Sequence, residues 1–207
     1  MNSPIAIGAR RELFVDDFLI DRLSGDAALK PNPPVRAEVV FQVQPPIENA
    51  CSAVYCVFLA DAGRYLLYYR GHHPIGVGGT DASELQTTHV AFSRDGIHFE
   101  RPELGLFDMG DGGRNNVVWQ GIQSHNLVPF LDANPACAPD ARFKAVGGTN
   151  RNSLFGLVSP DGIHWRLIQK APLPVPGAFD SANVAFWDGT TGKYRLFSRW
   201  FEPGRGR

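Results

Sequence analysis

The chain has 207 residues, and its 20 Lys and Arg nearly balance its 21 Asp and Glu, for a formal net charge of −1. This balance argues against a nucleic-acid partner, whose binding surface is normally basic. Hydrophobic residues make up 43% of the chain, which excludes global disorder. Glycine (22) and proline (16) are abundant, above the roughly 12% that the pair contributes on average. The composition therefore excludes a long helical bundle and favours short strands joined by turns.

The N-terminal part of the sequence gives no targeting signal. Charged residues interrupt it at Arg10, Arg11, Glu12, Asp16 and Asp17, so it lacks the apolar run of a signal peptide. No stretch of the chain reaches the roughly 18 apolar residues of a membrane span. We therefore expect a cytoplasmic protein with no membrane partner.

Three strand pairs follow one another along the chain. Val54–Leu59 leads through a short turn to Arg64–Arg70, Asn126–Leu131 leads through a longer loop to Arg142–Gly148, and Asn183–Trp187 leads through Asp188–Gly192 to Lys193–Trp200. Each run is rich in apolar, β-branched or aromatic residues, which is typical of strands.

A repeated turn follows the first two strand pairs. Ser93–Phe99 reads Ser-Arg-Asp-Gly-Ile-His-Phe, and Ser159–Trp165 reads Ser-Pro-Asp-Gly-Ile-His-Trp, 66 residues later (95 to 161). An Asp-Gly pair between two apolar runs predicts a tight β-hairpin, because glycine accepts the positive φ that the turn needs. Hairpin geometry alone explains Asp95 and Asp161, so we expect them to be turn residues.

The repeat predicts an all-β fold, specifically a β-propeller. Each unit contains strand, turn, strand, loop, strand, Asp-Gly turn and strand, which is the four-stranded antiparallel blade of a propeller. The units span about 48–104, 124–170 and an incomplete 180–207. Since closed propellers typically need about 4–8 blades, we expect a truncated propeller of about three blades. The alternative is an open β-sandwich of the same strands.

The blade pattern with its Ser-x-Asp-Gly-x-His-Trp turns resembles the five-bladed propellers of glycoside hydrolase families 32 and 43. Four segments look more specifically like a related group of uncharacterised bacterial proteins: Arg11–Ile20, Arg101–Leu106, Asn126–Pro135 and Gly177–Ser181. The resemblance implies a glycosidase with three acidic residues in the central funnel. The sequence lacks the Asn-Asp-Pro-Asn-Gly, Arg-Asp-Pro and Glu-Cys-Pro motifs of family 32, so no catalytic set transfers by motif.

Residues just before the innermost strands are the candidates for a site, because in a propeller these positions surround the central funnel. Glycoside hydrolysis needs one protonated and one ionised carboxylate. Glu48 is the candidate acid, on the condition that its surroundings raise its pKa, and Asp180 is the candidate base or stabilising carboxylate. The residues expected to bind sugar hydroxyls are Asn49, His125, Asn126 and Asn183. The alternative is that all six residues cap strand ends or satisfy loop backbone.

The sequence predicts no metal site and no cofactor. His72 and His73 are adjacent but lack a spaced carboxylate, and the Gly76–Gly79 stretch lacks the Lys-Ser/Thr of a phosphate loop. The function that the resemblance implies is hydrolysis of a glycosidic bond in a carbohydrate substrate. The alternatives are a non-catalytic propeller that binds a glycan or a protein, and an inactive fragment.

Overall fold

The structure is a computed structural model that describes residues 4–44, 48, 53–61, 63–72, 86–149 and 153–201. The chain divides into two compact units, Met1–Glu38 and Val39–Arg207. The described residues of the first unit contain neither helix nor strand. Short-range hydrogen bonds shape that unit locally, for example from the Phe18 amide to the Asp16 carboxylate at 3.0 Å.

The regular secondary structure in the described part of the second unit is almost entirely antiparallel strand. Two single-turn 3₁₀ helices, Ile122–Ser124 and Pro139–Ala141, interrupt them. The strands are β1 Ala53–Asp61, β2 Arg64–His72, β3 Gln86–Ser93, β4 Val117–Gln120, β5 Val128–Leu131, β6 Phe143–Gly147, β7 Phe155–Ser159, β8 Arg166–Leu167, β9 Val184–Asp188 and β10 Lys193–Phe197.

The strands form three sheets with the simplest connectivity. β1 to β4 make one four-stranded sheet, β5 to β8 make a second, and β9 pairs with β10. Within each sheet, strands that follow each other in the sequence pair antiparallel. This arrangement confirms the all-β prediction, and the five-bladed propeller remains a prediction.

The first two sheets pack face to face through an apolar core. β2 is apolar on both faces, with Leu66 and Tyr68 on one and Leu67 and Tyr69 on the other. The first face meets the second sheet in a cluster of buried residues: Leu66, Tyr68, Val90, Val118, Leu127, Phe143, Ala145, Leu157 and Trp165. Burial of one large apolar side chain contributes roughly 1.5–3 kcal/mol, so this cluster is a main source of stability.

Both Asp-Gly segments lie in hairpin loops, as predicted, but the loops are wider than a two-residue turn. The flanking pairs are Phe92 with Glu100 and Val158 with Arg166. The aspartate carboxylate organises each loop by accepting hydrogen bonds from two backbone amides and contacting a histidine ring. Gly96 and Gly162 have φ of 78° and 79°, the left-handed conformation for which glycine was predicted.

The first sheet extends beyond the predicted unit 48–104. Its fourth strand, β4, lies at 117–120, and the Asp-Gly hairpin contributes only an isolated bridge at Glu100. The second and third sheets begin at Val128 and Val184. β5 lies beside both β1 and β9, so the first strands of the three sheets are neighbours.

Candidate functional site

Polar side chains converge at one end of the first two sheets, where β2 ends and β3 and β5 begin. The antiparallel meander places these strand ends at the same edge. Backbone bonds fix the connection between β4 and β5 there: the Gly121 amide donates to Gln86, and the Gly148 amide donates to His125. Side chains from both sheets therefore meet at this edge.

Arg70, Gln86, His125 and Asn126 form a cluster at this edge, called here the Arg70 cluster. Nη1 of Arg70 lies 3.0 Å from Nδ1 of His125 and donates to Oδ1 of Asn126 at 3.3 Å. Nδ1 of His125 also lies 2.9 Å from Oε1 of Gln86. A guanidinium has only donors, so a hydrogen bond with Arg70 requires an unprotonated Nδ1 that accepts. A carbonyl oxygen only accepts, so a hydrogen bond with Gln86 requires a protonated Nδ1 that donates. The tautomer of His125 therefore decides which contact is a hydrogen bond.

Asn126 is the most constrained member of the Arg70 cluster. It has a φ of 54° and is the one non-glycine residue with positive φ among the described residues. The residue is 1% exposed, and its Nδ2 has no hydrogen-bond partner in the described part of the chain. The bond from Arg70 fixes the orientation of the amide, since only Oδ1 can accept it. Backbone strain and an unpaired buried donor both cost free energy, and such features concentrate at functional sites.

Glu48 is buried in an ion pair rather than open to a ligand. Nε of Arg101 lies 2.8 Å from Oε1, and Nη2 lies 2.9 Å from Oε2. The Tyr69 hydroxyl and the Gln44 amide also donate to the carboxylate, each at 2.5 Å. Burial alone would raise the pKa of Glu48, but the hydrogen bonds from Arg101, Tyr69 and Gln44 outweigh it and lower the pKa. The condition for a proton donor, a raised pKa, is not met.

A buried hydrogen-bond chain continues inward from Glu48. Nδ2 of Asn116 donates to the Tyr69 hydroxyl at 2.7 Å, so Oδ1 of Asn116 faces Nδ1 of His89 at 3.0 Å. Nδ1 of His89 therefore carries the proton, and Nε2 accepts from the Thr87 hydroxyl at 2.9 Å. Burial lowers the pKa of His89 despite the opposing bond from Asn116 and the nearby charge of Glu48. The imidazole of His89 is therefore neutral at pH 7, and this hydrogen-bond chain stabilises the packing of the first sheet.

The predicted residues near β9 occupy two different environments. Asn183 is fully buried, and its Nδ2 donates to the carbonyls of Phe179 and Ser181, while its Oδ1 has no partner among the described residues. The side chain of Asp180 is 47% exposed and forms an ion pair with Arg199.

Asn49 lies outside the described residues. No hydrogen bond or ion pair joins Glu48 to Asp180, and the described partners of the two carboxylates are different.

The sequence prediction missed Arg70 and Gln86 in the cluster and Arg101 opposite Glu48. Arg70 follows Leu66 and Tyr68 on one face of β2, so a basic side chain next to two buried apolar ones was the available signal. Arg101 lies 53 residues from Glu48, and no local pattern links the two positions.

Searches of the described residues found neither a helix that could cross a membrane nor a group of three or more His, Cys, Asp or Glu suited to a metal. Comparison with protein-family models, with curated proteins and with solved structures found no match.

Proposed function

We propose that the chain forms part of a β-propeller that binds a carbohydrate at the Arg70 cluster. The observation that carries this proposal is Asn126, a strained, buried amide beside a guanidinium and an imidazole, whose Nδ2 has no partner among the described residues. A sugar hydroxyl can accept from that amide and donate to a neighbouring acceptor. A few convergent polar groups at the end of a rigid sheet are typical of ligand sites.

Equivalent aspartates at the ends of the first strands support the propeller architecture. Asp61, Asp132 and Asp188 each end, or directly follow, the first strand of a sheet. Asp61 binds Nη2 of Arg142 at 2.6 Å, and Asp132 accepts from the Tyr194 hydroxyl at 2.7 Å. The first contact thus reaches the residue that precedes the second strand of the following sheet, and the second contact reaches that strand itself. A repeated contact of this kind is expected where blades follow one another around an axis.

Asn126→Gly tests the binding proposal. Glycine tolerates the left-handed backbone at position 126, so the variant keeps the fold while it loses the amide. We expect the affinity for the best glycan of a neutral oligosaccharide panel to fall about tenfold or more, the usual cost of losing a specific buried hydrogen-bond partner. Calorimetric titration measures the affinity, and thermal unfolding checks the fold.

Asn134→Gly is the matched control, because Asn134 lies in the loop after β5, at the other end of the second sheet. The affinity of the Asn134→Gly variant for the glycan should equal that of the wild type. Binding by wild type and Asn126→Gly with equal affinity would place the glycan elsewhere. Absence of binding across the panel would refute the proposed function.

Asp180 favours glycoside hydrolysis as a second candidate function. Its half-exposed carboxylate precedes β9, and the guanidinium of Arg199 stabilises its charge, which suits a base or a stabilising carboxylate rather than a proton donor. We expect Asp180→Asn to reduce turnover of aryl glycosides by orders of magnitude without loss of the fold. Equal turnover by wild type and variant would exclude Asp180 from the catalytic mechanism. If the wild type turned over no aryl glycoside, carbohydrate binding would be the one remaining candidate function.

A further inference from the structure

A second candidate site lies at the opposite end of the first sheet, where β2 begins and β3 ends. A cavity of about 420 Å³ opens there between the start of β2 and the Asp95 loop. Its volume falls within the roughly 300–1,000 Å³ typical of small-molecule sites. The lining residues are Arg64, Phe92, Ser93, Arg94, Asp95, His98 and Glu100.

Two guanidinium groups line this cavity without a carboxylate partner among the described residues. Arg64 lies over the ring of Phe92, 5.0 Å from its centroid, and forms no described ion pair, and Arg94 forms none either. Asp61 pairs with Arg64 across β1 and β2 in the backbone register. Its carboxylate turns away to bind Arg142 of the second sheet at 2.6 Å. The natural cross-strand partner of Arg64 is therefore engaged elsewhere.

The acidic groups of the cavity do not replace that partner. Asp95 is occupied by its own loop: Oδ1 accepts from the amides of Ile97 and His98 and from the Ser93 hydroxyl, and Oδ2 contacts Nδ1 of His98. Glu100 forms no described ion pair with either arginine.

The second sheet provides an internal comparison, because it repeats the same loop without the open cationic groups. Arg142 occupies the position of Arg64 and is paired with Asp61. Pro160 stands at the position of Arg94, and Arg166, at the position of Glu100, is paired with Asp140 at 2.7 Å. The loop glycine, Gly162, packs against Tyr68 of the first sheet. The loop fold therefore does not itself require a cationic group at position 94, and the arginine equivalent to Arg64 is paired in the second sheet.

We propose that the cavity of the first sheet binds a small ligand through a carboxylate, sulfate or phosphate group held by Arg64 and Arg94. Guanidinium groups form strong, charge-assisted hydrogen bonds with such oxyanions. The Ser93 and Glu100 side chains add polar groups that can contact the rest of the ligand. This site is independent of the Arg70 cluster and of the carbohydrate proposal.

Calorimetric titration of the full chain at constant ionic strength tests the site. The probes are sodium glucuronate, sodium sulfate and sodium phosphate, with glucose as the neutral counterpart of glucuronate. We expect saturable binding of at least one anion and none of glucose, and the strongest anion identifies the ligand chemistry. Arg94→Ala and Arg64→Gln should each weaken that binding about tenfold or more, since each removes a charge-assisted contact.

Arg166→Gln is the matched control, because it removes one positive charge from the equivalent end of the second sheet. Its affinity for the anion should stay within about twofold of the wild type, as expected for an exposed charge at a distance. Equal weakening in Arg166→Gln and Arg94→Ala would show a net-charge effect and overturn the site. Absence of binding by all three anions would overturn it as well.

Discussion

The hydroxyl of Tyr68 donates a 2.7 Å hydrogen bond to the carbonyl of Gly162, so β2 of the first sheet is joined to the Asp-Gly loop of the second. Nε1 of Trp165 donates to the same carbonyl at 3.0 Å, and its ring meets Tyr68 edge to face. Burial raises the pKa of Tyr68 above the ordinary tyrosine value, so its hydroxyl remains a donor at neutral and mildly alkaline pH. The loop of one sheet is therefore part of the packing between the two sheets.

Gly162→Ala is expected to destabilise the protein by about 3 kcal/mol or more. The left-handed backbone, with φ of 79°, costs an alanine roughly 1–2 kcal/mol. A Cβ at this position would also lie 2.5 Å from the Tyr68 hydroxyl and 3.2 Å from Leu66, which adds an overpacking cost of roughly 1–3 kcal/mol. Urea unfolding of both proteins measures the difference.

Gly63→Ala separates the two contributions. Gly63 has a similar φ of 76° in the turn between β1 and β2, but nothing lies within 4 Å of its would-be Cβ. We expect this variant to lose only the backbone contribution, about 1–2 kcal/mol. Equal losses in the two variants would show that the contact between Tyr68 and Gly162 is not tightly packed.

The repeated Ser-x-Asp-Gly-x-His sequence was sufficient to predict two equivalent hairpins, because every group that shapes each loop lies within it. The hydroxyl and the carboxylate accept from backbone amides two or three residues away, and the histidine ring contacts the carboxylate. Local physical chemistry therefore determines this part of the fold. The extent of the first unit was less predictable, since β4 is short and pairs with β3 across a bulge.

The environment of Glu48 could not be predicted in the same way. Its position before the first strand was read correctly, but its partners Arg101 and Tyr69 lie 53 and 21 residues away. Burial and ion pairing decide whether a carboxyl group is protonated and can donate, or is ionised and stabilises the fold. The Pro-Pro-Ile sequence before Glu48 gives no information on either. The same limit applies to Asn126, which was predicted as a site residue without its left-handed backbone.

Glu48→Gln is expected to reduce stability by about 3 kcal/mol. The amide loses the ionic contact with Arg101, and the partial access of Arg101 to water keeps the cost at the lower end of the range for broken buried pairs. Urea unfolding at pH 7 measures the loss. Asp140→Asn, which breaks the exposed pair with Arg166, should cost less than about 1 kcal/mol. A fully stable Glu48→Gln protein would contradict the structural role of Glu48.

Acid should destabilise the protein in two stages. In the folded protein the pKa of His89 is lower than the ordinary value of 6.5. The contribution of His89 to the free energy of unfolding is therefore complete above pH 6.5 and is lost as the pH falls below 6.5. The folded pKa of Glu48 is lower than 4.5, so its contribution is lost below that pH. In both cases the unfolded chain binds the proton first.

His89→Gln tests the first stage, because glutamine does not titrate. We expect the wild type to lose more unfolding free energy between pH 7 and pH 5.5 than the variant, by at most about 1.4 kcal/mol per pH unit. Urea unfolding at the two pH values gives both slopes, whatever the stability of the variant at pH 7. Parallel slopes would show that His89 titrates alike in the folded and unfolded protein.

The edge of β10 is expected to make the chain self-associate. β10 pairs with β9 on one side in the described structure, and the large apolar side chains of Phe197 and Trp200 nearby are 64% and 61% exposed. An edge strand with exposed apolar groups favours pairing with another chain. Sedimentation velocity should therefore show species larger than the monomer that increase with protein concentration.

Phe197→Lys should shift the distribution toward monomer, because a charged side chain on an edge strand opposes pairing. Leu13→Lys makes the same change at a residue that is 80% exposed and outside the strands, and it should leave the distribution unchanged. A monomeric wild type at every concentration, or equal effects of the two substitutions, would exclude β10 as the contact.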